Sequence, residues 1–274
     1  MKHFFLILFS VLLLSSCTET KVPEVMNTPV VKTDNSAPQI NYTLINTTPH
    51  DTTSFTEGLL FYNNQLFEST GAPEYLAQAK SLFGTVDLKT GKITTKVEID
   101  KTKYFGEGIV FFKDKVYQLT YKNQIGFIYD AKTFKKTGEF SYQNKEGWGF
   151  TTDGSSLIMS DGTNTLTYFD PATLKVSKTL QVSSDGYAED YLNELEFIKG
   201  FIYANIWNKN YIVKIDPNSG KVVGRIDLSA LINTARNKHQ HSLEMNGIAY
   251  DAATDKIYVT GKFWPDLYEI NFQH

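Results

Sequence analysis

The stretch LFGTVDLKTGKITTKVEI, residues 82–99, decides the fold. An apolar run ends at Asp87, the polar segment DLKTGK follows, and a run of alternating apolar and polar residues comes next. Asp and Thr favour tight turns because their side chains hydrogen-bond to the local backbone, and Gly tolerates left-handed backbone. Residues 82–99 therefore predict two antiparallel strands joined by a tight turn.

This hairpin recurs along the chain. The turns DLKTGK, DAKTFK, DPATLK and DPNSGK begin 43, 40 and 46 residues apart, and an apolar run precedes each. A second recurrent piece with two apolar runs lies upstream of each turn, and a fifth copy follows the last turn. These five copies occupy residues 55–70, 105–120, 147–161, 192–206 and 245–261. Four strands in a period of this length are typical of β-propeller blades.

The fifth unit ends with a strand at residues 266–271 and has no outer strand of its own. The segment INYTLINT, residues 40–47, is a free strand near the other end of the chain. Pairing it with residues 267–271 closes the ring and removes an exposed sheet edge. The sequence therefore predicts an all-β fold, a five-bladed β-propeller whose last blade is completed by an N-terminal strand.

The N-terminal residues have the features of a bacterial secretion signal. Lys2 precedes an apolar run too short to span a bilayer, and the run ends in LSSC at residues 14–17, which resembles a bacterial lipobox. We expect a lipoprotein signal at residues 1–17 with lipid on Cys17, a flexible tether at residues 18–39 and the propeller domain at residues 40–274. The protein is then exported and membrane-anchored in a bacterial envelope, periplasmic or surface-exposed. A plain cleaved signal with an incidental cysteine is the alternative.

Composition excludes several function classes. The formal net charge is −3 and no basic stripe exists, so we expect no nucleic-acid partner. Cys17 is the only cysteine, which rules out an intramolecular disulfide. No H-E-x-x-H motif or paired cysteine spacing occurs, so we predict no bound catalytic metal and no cofactor. A structural calcium in the Asp- and Asn-rich turns stays open, and we expect a monomer.

The starts of the five inner strands should converge on one funnel, because innermost strands line the axis of a propeller. These starts are FTEG at 55–58, FGEG at 105–108, GWG at 147–149, LNE at 192–194 and MNG at 245–247. Trp207 and the run GKFWP, residues 261–265, should lie in strand-end loops of the last two blades. A cavity with aromatic walls and a few convergent polar groups is the default binding-site hypothesis.

These pieces also carry a family resemblance. FTEGL, FGEGI, GWGFTTDG, LNELEF, ANIW and NGIAYD…VTGKFWP stand in order and at blade spacing over nearly all of residues 55–270. In this the chain resembles the plant-type glutaminyl-peptide cyclotransferases, five-bladed propellers that also occur in bacteria. The resemblance implies conversion of the N-terminal glutamine of peptides or proteins to pyroglutamate, with release of ammonia and without a catalytic metal.

The resemblance also implies roles for individual residues. Glu107 would move the proton, while Lys262 and Asn193 would polarise the γ-carbonyl of the substrate. The residues implied in substrate binding are Phe55, Glu57, Phe105, Tyr121, Trp148, Trp207 and Trp264. From the residues alone, non-functional roles stay open: Glu107 as a solvated glutamate on the channel wall, Lys262 as a surface lysine and the tryptophans as core residues.

Two positions depart from the family pattern. Glu57 stands where the family usually has Gln, and Tyr121 stands where it usually has Trp. Two carboxylates facing one funnel should couple, so that one of them holds its proton. Glu57 would then bind the substrate amine, or the activity would be altered or lost. The competing hypothesis is a non-catalytic propeller that binds a peptide or small ligand at the cell envelope.

Overall fold

Five four-stranded antiparallel sheets form the blades of a β-propeller. The computed structural model describes Met1 and residues 37–274. The outer strand of the last blade is β1 (Tyr42–Pro49). Blade 1 comprises β2 (Phe55–Tyr62), β3 (Gln65–Gly71), β4 (Leu82–Val86) and β5 (Ile93–Glu98). Blade 2 comprises β6 (Gly106–Phe112), β7 (Lys115–Thr120), β8 (Ile125–Asp130) and β9 (Lys136–Ser141).

The remaining blades follow in chain order. Blade 3 comprises β10 (Phe150–Thr152), β11 (Leu157–Met159), β12 (Thr165–Phe169) and β13 (Val176–Gln181). A two-stranded hairpin of β14 (Ser183–Ser184) and β15 (Tyr187–Ala188) comes next. Blade 4 comprises β16 (Leu192–Ile198), β17 (Phe201–Ile206), β18 (Tyr211–Ile215) and β19 (Val222–Asp227). After helix α1 (Ser229–Lys238), blade 5 comprises β20 (Met245–Asp251), β21 (Lys256–Gly261), β22 (Asp266–Phe272) and β1.

The ring closes as the sequence predicts. β1 pairs antiparallel with β22 from Tyr42 opposite Phe272 to Pro49 opposite Asp266. The paired strand begins two residues later than the predicted segment and extends to Pro49. The N-terminal strand thus completes the last blade, and the predicted five-bladed fold is confirmed.

Most of the predicted tether, residues 18–39, lies outside the described residues, but its last residues already pair with blade 4. Arg225 N–H donates to the carbonyl of Pro38 at 2.9 Å, and Ile40 N–H donates to the carbonyl of Arg225 at 2.7 Å. Gly224 leaves room for the Ile40 side chain, because a Cβ there would lie 2.4 Å from Ile40 Cδ1. From Pro38 to β1, the chain therefore runs from blade 4 to blade 5.

The predicted turns owe their shape to the aspartate that opens them. Asp130 Oδ1 accepts hydrogen bonds from the backbone N–H of Lys132 and Thr133 and from the Thr133 hydroxyl, at 3.1, 2.7 and 2.8 Å. These bonds, led by that from the Thr133 N–H, lower the pKa of Asp130 because they favour the charged carboxylate. Asp170 repeats the arrangement with Ala172 and Thr173.

Five hydrophobic clusters fill the interfaces between neighbouring blades. The cluster between blades 2 and 3, for example, packs Tyr117 and Leu119 against Leu157 and Phe169. Full burial of a large apolar side chain stabilises a fold by about 1.5–3 kcal/mol. Because each interface needs both of its blades, closing the ring adds a fifth interface to the four that an open array would bury.

Helix α1 was not predicted. Leu231, Ile232 and Ala235 are buried and pack into the cluster between blades 4 and 5. The apolar positions are few and the flanking residues polar, so the periodicity of this short helix is weak in sequence. No helix among the described residues is long and apolar enough to cross a membrane.

Candidate active site

Local breaks in the ladder place the candidate site residues at the starts of four inner strands. In β2 the register shifts between Thr56 and Gly58, so that Glu57 is the extra residue. The same irregularity encloses Glu107 in β6, Asn193 in β16 and Asn246 in β20. A β-bulge re-aims a side chain that would otherwise follow the alternation of the strand. In each of these four blades, a bulge therefore orients one polar side chain at the start of the inner strand.

Glycines allow the inner strands to approach closely beside these bulges. A Cβ at Gly108 would lie 2.6 Å from the carbonyl oxygen of Trp148, and one at Gly149 would lie 2.2 Å from that of Asn193. Both distances are far below van der Waals contact, so no other residue fits at these positions without backbone movement. The blades consequently meet tightly at one end of the channel.

A cavity of about 550 Å³ opens above this point, within the size range of small-ligand sites. Nine of the ten residues predicted for catalysis and substrate binding line it. They are Phe55, Glu57, Phe105, Glu107, Tyr121, Trp148, Asn193, Trp207 and Lys262. The predicted funnel therefore exists, and it gathers residues from all five blades.

The expectation that Trp264 lines the cavity is wrong. Its side chain is fully buried in the cluster between blades 4 and 5, and its Nε1 donates to the carbonyl of Leu243 at 3.0 Å. Phe263, the preceding residue, has a left-handed backbone with φ of 59°, which turns the chain between Lys262 and Trp264. Gly261 supplies the space for the indole ring.

Three of the cavity residues that sequence reasoning missed occupy one position of the repeat. Three residues before Gly58 and Gly108 stand Phe55 and Phe105, both predicted. The equivalent residues of blades 3, 4 and 5 are Glu146, Tyr191 and Glu244, and all three line the cavity. Aligning the five strand starts on the glycine position would have identified them from sequence.

Lys262 is the cationic centre of the site. Its Nζ lies 3.0 Å from Glu57 Oε1, 3.1 Å from Glu244 Oε1 and 4.3 Å from the ring centre of Phe55. Burial disfavours the charged ammonium of Lys262 and lowers its pKa. The carboxyl groups of Glu57, Glu244 and Glu107 outweigh this effect, so that the pKa of Lys262 is raised. The lysine therefore stays protonated, and two of its three N–H groups are directed at carboxylates.

Glu57 and Glu107 are both buried and face the same cavity, as predicted. Burial raises the pKa of Glu57 to about 7, although Lys262 opposes the shift and Asn246 Nδ2 donates to Oε2 at 2.9 Å. Burial also raises the pKa of Glu107 well above its ordinary value, and the charge of Glu57 adds to the shift. Burial and the charge of Glu57 therefore both favour the protonated form of Glu107.

Aromatic rings form the remaining walls. Phe55 and Phe105 meet edge to face at 5.8 Å, and the indoles of Trp148 and Trp207 do so at 6.1 Å. Trp148 Nε1 donates to Glu146 Oε2 at 2.9 Å, which fixes the ring, while Trp207 is 38% exposed at the rim. The cavity thus combines an apolar lining with carboxyl groups and one ammonium. Among the described residues, no cluster of three or more His, Cys, Asp and Glu side chains could hold a metal ion.

Comparisons with known proteins agree with this geometry. Residues 9–272 match the family model described as glutamine cyclotransferase. The chain belongs to the glutamine cyclotransferase family. It is 40% identical over 227 residues to the glutaminyl-peptide cyclotransferase of Arabidopsis thaliana, a match that covers 82% of this chain and 69% of the plant protein. The predicted family and enzyme class are thereby confirmed.

A solved member of the glutamine cyclotransferase family shares the fold. The crystal structure of Myxococcus xanthus glutaminyl cyclase superposes with a TM-score of 0.78 and 31% sequence identity. The match covers 86% of this chain and 98% of the Myxococcus chain. Family membership therefore extends over the whole propeller and over every blade that contributes to the cavity.

Proposed function

We propose that this member of the family converts the N-terminal glutamine of peptides or proteins to pyroglutamate and ammonia by general acid–base catalysis without a metal. The observation that carries the proposal is a buried carboxyl of raised pKa, Glu107, beside an ammonium in an aromatic cavity. In the reaction the α-nitrogen bonds to the side-chain carbonyl carbon, and the bond from that carbon to the amide nitrogen breaks. An α-ammonium nitrogen must lose two protons in all, of which one reaches the departing nitrogen and the other passes to solvent.

The raised pKa of Glu107 fits both transfers. An α-ammonium group has a pKa of about 7.7–8.0, and an ordinary glutamate lies more than three units below it. Proton transfer to an ordinary glutamate would therefore be uphill by about 5 kcal/mol. Because burial and Glu57 raise the pKa of Glu107, this gap narrows. In its ionised form, Glu107 takes one proton from the α-ammonium and, as the carboxyl formed, gives it to the departing amide nitrogen, which leaves as ammonia.

Lys262 and Asn193 supply the charge stabilisation in this proposal. The attacked carbonyl becomes an oxyanion, and donors fixed in a buried site stabilise it without reorganisation. Lys262 has one N–H that is not directed at Glu57 or Glu244. Asn193 adds an amide at the cavity wall, placed by the bulge in β16. Phe55, Phe105, Tyr121, Trp148 and Trp207 enclose the glutamine side chain, and Glu57 lies ready to accept the α-ammonium.

The proposal is tested by incubating the purified chain with the dipeptide Gln-Ala and measuring ammonia release and the matching mass loss. We expect turnover that a chelator leaves unchanged. Asn-Ala, which would have to form a smaller ring, is the negative control. Binding of Gln-initiated peptides without ammonia release would instead support the non-catalytic hypothesis.

Replacing Glu57 by Gln should move the pH dependence of the reaction to lower pH. The charge of Glu57 raises the pKa of Glu107, so its loss lowers that pKa. The limb of the kcat/KM profile that reports Glu107 should shift in the same direction, with turnover largely retained. Glu244→Gln is the matched control, since Glu244 contacts Lys262 but does not contribute to the shift of Glu107. If Glu57→Gln and Glu244→Gln shifted the kcat/KM profile by the same amount, the proposed coupling between Glu57 and Glu107 would be contradicted.

We further propose that Cys17 anchors the protein in a membrane of the bacterial envelope. The lipobox-like LSSC at residues 14–17 supports this, and the segment lies outside the described residues. Cys17→Ser removes the thiol that would carry the lipid, so the variant should move from the membrane fraction to the soluble fraction. Retention of a fully processed Cys17→Ser chain in the membrane fraction would refute lipidation at this site.

A further inference from the structure

A second cavity of about 520 Å³ adjoins the candidate active site. Tyr75 and Leu243 line both cavities. The second cavity lies between the β3–β4 connection of blade 1 and the segment that joins α1 to β20. Because the two cavities share these lining residues, they lie side by side.

We infer that this second cavity binds the residues that follow the N-terminal glutamine of the substrate, and that it favours apolar side chains there. The inference rests on the proposed function and names the substrate class of the same site. A glutamine whose reacting groups lie at Glu107 and Lys262 must extend its carboxyl side away from these two residues. The adjoining cavity provides a route for that extension.

The chemistry of the two cavities differs sharply. The first contains Glu57, Glu107, Glu146, Glu244 and Lys262 among its lining residues. Among the described residues, no Asp, Glu, Lys or Arg lines the second cavity, and its walls include Leu76, Ala79, Leu243 and Phe263. Polar groups there belong to threonine, tyrosine, glutamine and histidine side chains, which suit the peptide backbone of a bound chain. The second cavity therefore suits uncharged residues, and Leu76, Ala79, Leu243 and Phe263 offer contacts to their apolar side chains.

The walls of the second cavity are held in place by contacts within the fold. Lys101 Nζ donates to the carbonyls of Ala77 and Ala79 at 2.5 and 2.9 Å, which ties down the β3–β4 connection. On the opposite wall, His239 Nδ1 donates to the carbonyl of Phe263 at 3.0 Å. A site whose walls are already fixed loses less conformational entropy when it binds a chain.

Phe263 links the two cavities. It directly follows Lys262, its ring packs 5.3 Å from that of Phe55, and its backbone is left-handed. Strained non-glycine backbone of this kind persists where the surrounding structure enforces it, often at ligand sites. Here the turn presents Lys262 to the first cavity and Phe263 to the second. The same strand-end loop thus contributes to both parts of the extended cleft.

The test compares three substrates of the purified chain: Gln-Ala, Gln-Leu-Leu-Ala and Gln-Ser-Ser-Ala. Burying one leucine side chain contributes about 1.5–3 kcal/mol, so kcat/KM for the leucine peptide should exceed that for the serine peptide by about tenfold or more. In Leu76→Glu the ratio should fall towards one while turnover of Gln-Ala stays unchanged. Leu44→Glu is the matched control, since Leu44 is 45% exposed on the distant strand β1.

His241→Glu places a charge in the same cavity at an exposed residue and should reproduce the effect of Leu76→Glu. The inference would be overturned if the parental chain had similar kcat/KM values for the leucine and serine peptides. It would also be overturned if neither Leu76→Glu nor His241→Glu changed the ratio of these two values. Loss of Gln-Ala turnover in both variants would also overturn it, because the cavities would then not act separately. If the parental chain releases ammonia from none of the three peptides, the proposed function itself fails.

Discussion

Glu107→Gln should lower kcat for Gln-Ala by about 10²- to 10⁴-fold, the usual contribution of general acid–base catalysis. Glutamine keeps the shape of the protonated carboxyl and its capacity to hydrogen-bond, but it cannot exchange a proton. KM should change much less than kcat, because the substrate contacts from the aromatic walls persist. Steady-state kinetics at several pH values measures both parameters.

The fold should tolerate this substitution. A raised pKa means that the folded protein disfavours the ionised form of Glu107, so its stability falls as pH rises from the unfolded-state pKa towards the folded-state pKa. A neutral glutamine avoids that loss at pH 7, and the melting temperature of Glu107→Gln should equal or exceed that of the parent. Glu57→Gln is the discriminating comparison. If Glu57→Gln abolished turnover while Glu107→Gln preserved it, Glu57 would be the acid–base group.

A chain that begins at Thr52 should lose most of its stability relative to one that begins at Ala37. The truncation removes β1 and leaves β22 as an open edge. It also removes His50, whose Nε2 lies 3.1 Å from the fully buried Glu68 and whose Nδ1 donates to the carbonyl of Trp264. Each lost ladder bond costs about 0.5–1.5 kcal/mol, and leaving the buried side chain of Glu68 without its partner His50 costs about 1–3 kcal/mol. Together these losses rival a typical free energy of unfolding, about 5–15 kcal/mol.

Thermal denaturation of the two truncated chains measures this effect. His50→Gln in the longer chain reports the share that belongs to the buried pair with Glu68, so the remainder belongs to β1. We expect the shorter chain to be unfolded at 25 °C or to melt well below the longer one. Melting temperatures within a few degrees of each other would show that β1 is dispensable for closure.

Most features that repeat along the chain were predicted from the sequence, although Glu146, Tyr191 and Glu244 at one repeat position were missed. The turn at Asp87 and its three successors predicted the blades, because Asp and Thr side chains shape the local backbone regardless of tertiary context. The five strand starts predicted the cavity, because equivalent positions of a propeller meet at one axis. Each of these signals was visible more than once, and each was confirmed.

The direction of a side chain in a loop that occurs only once could not be predicted from the sequence. Trp264 was predicted at the cavity, but the left-handed backbone at Phe263 turns it into the core, and nothing in GKFWP encodes that rotation. Helix α1 folds because three of its side chains find space between blades 4 and 5. The second cavity needs the β3–β4 connection and residues 239–243 side by side, a contact between distant segments that no local pattern predicts.

The closure of the ring by β1 and β22 sets the order of events during biosynthesis. β1 is the first strand of the propeller to be translated, and its partner β22 is the last. At a synthesis rate of about 5–20 residues per second, β1 waits on the order of ten to forty seconds for β22. Its sequence YTLINTTP suits this interval, since it is short, half polar and ends in proline, features that discourage pairing with foreign strands. Blades 1 to 4 have all their strands before β22 is synthesised, whereas blade 5 cannot be completed until β22 is available. We therefore expect the pairing of β1 with β22 to be the last step in the folding of the propeller and, because these strands are far apart in sequence, a slow one.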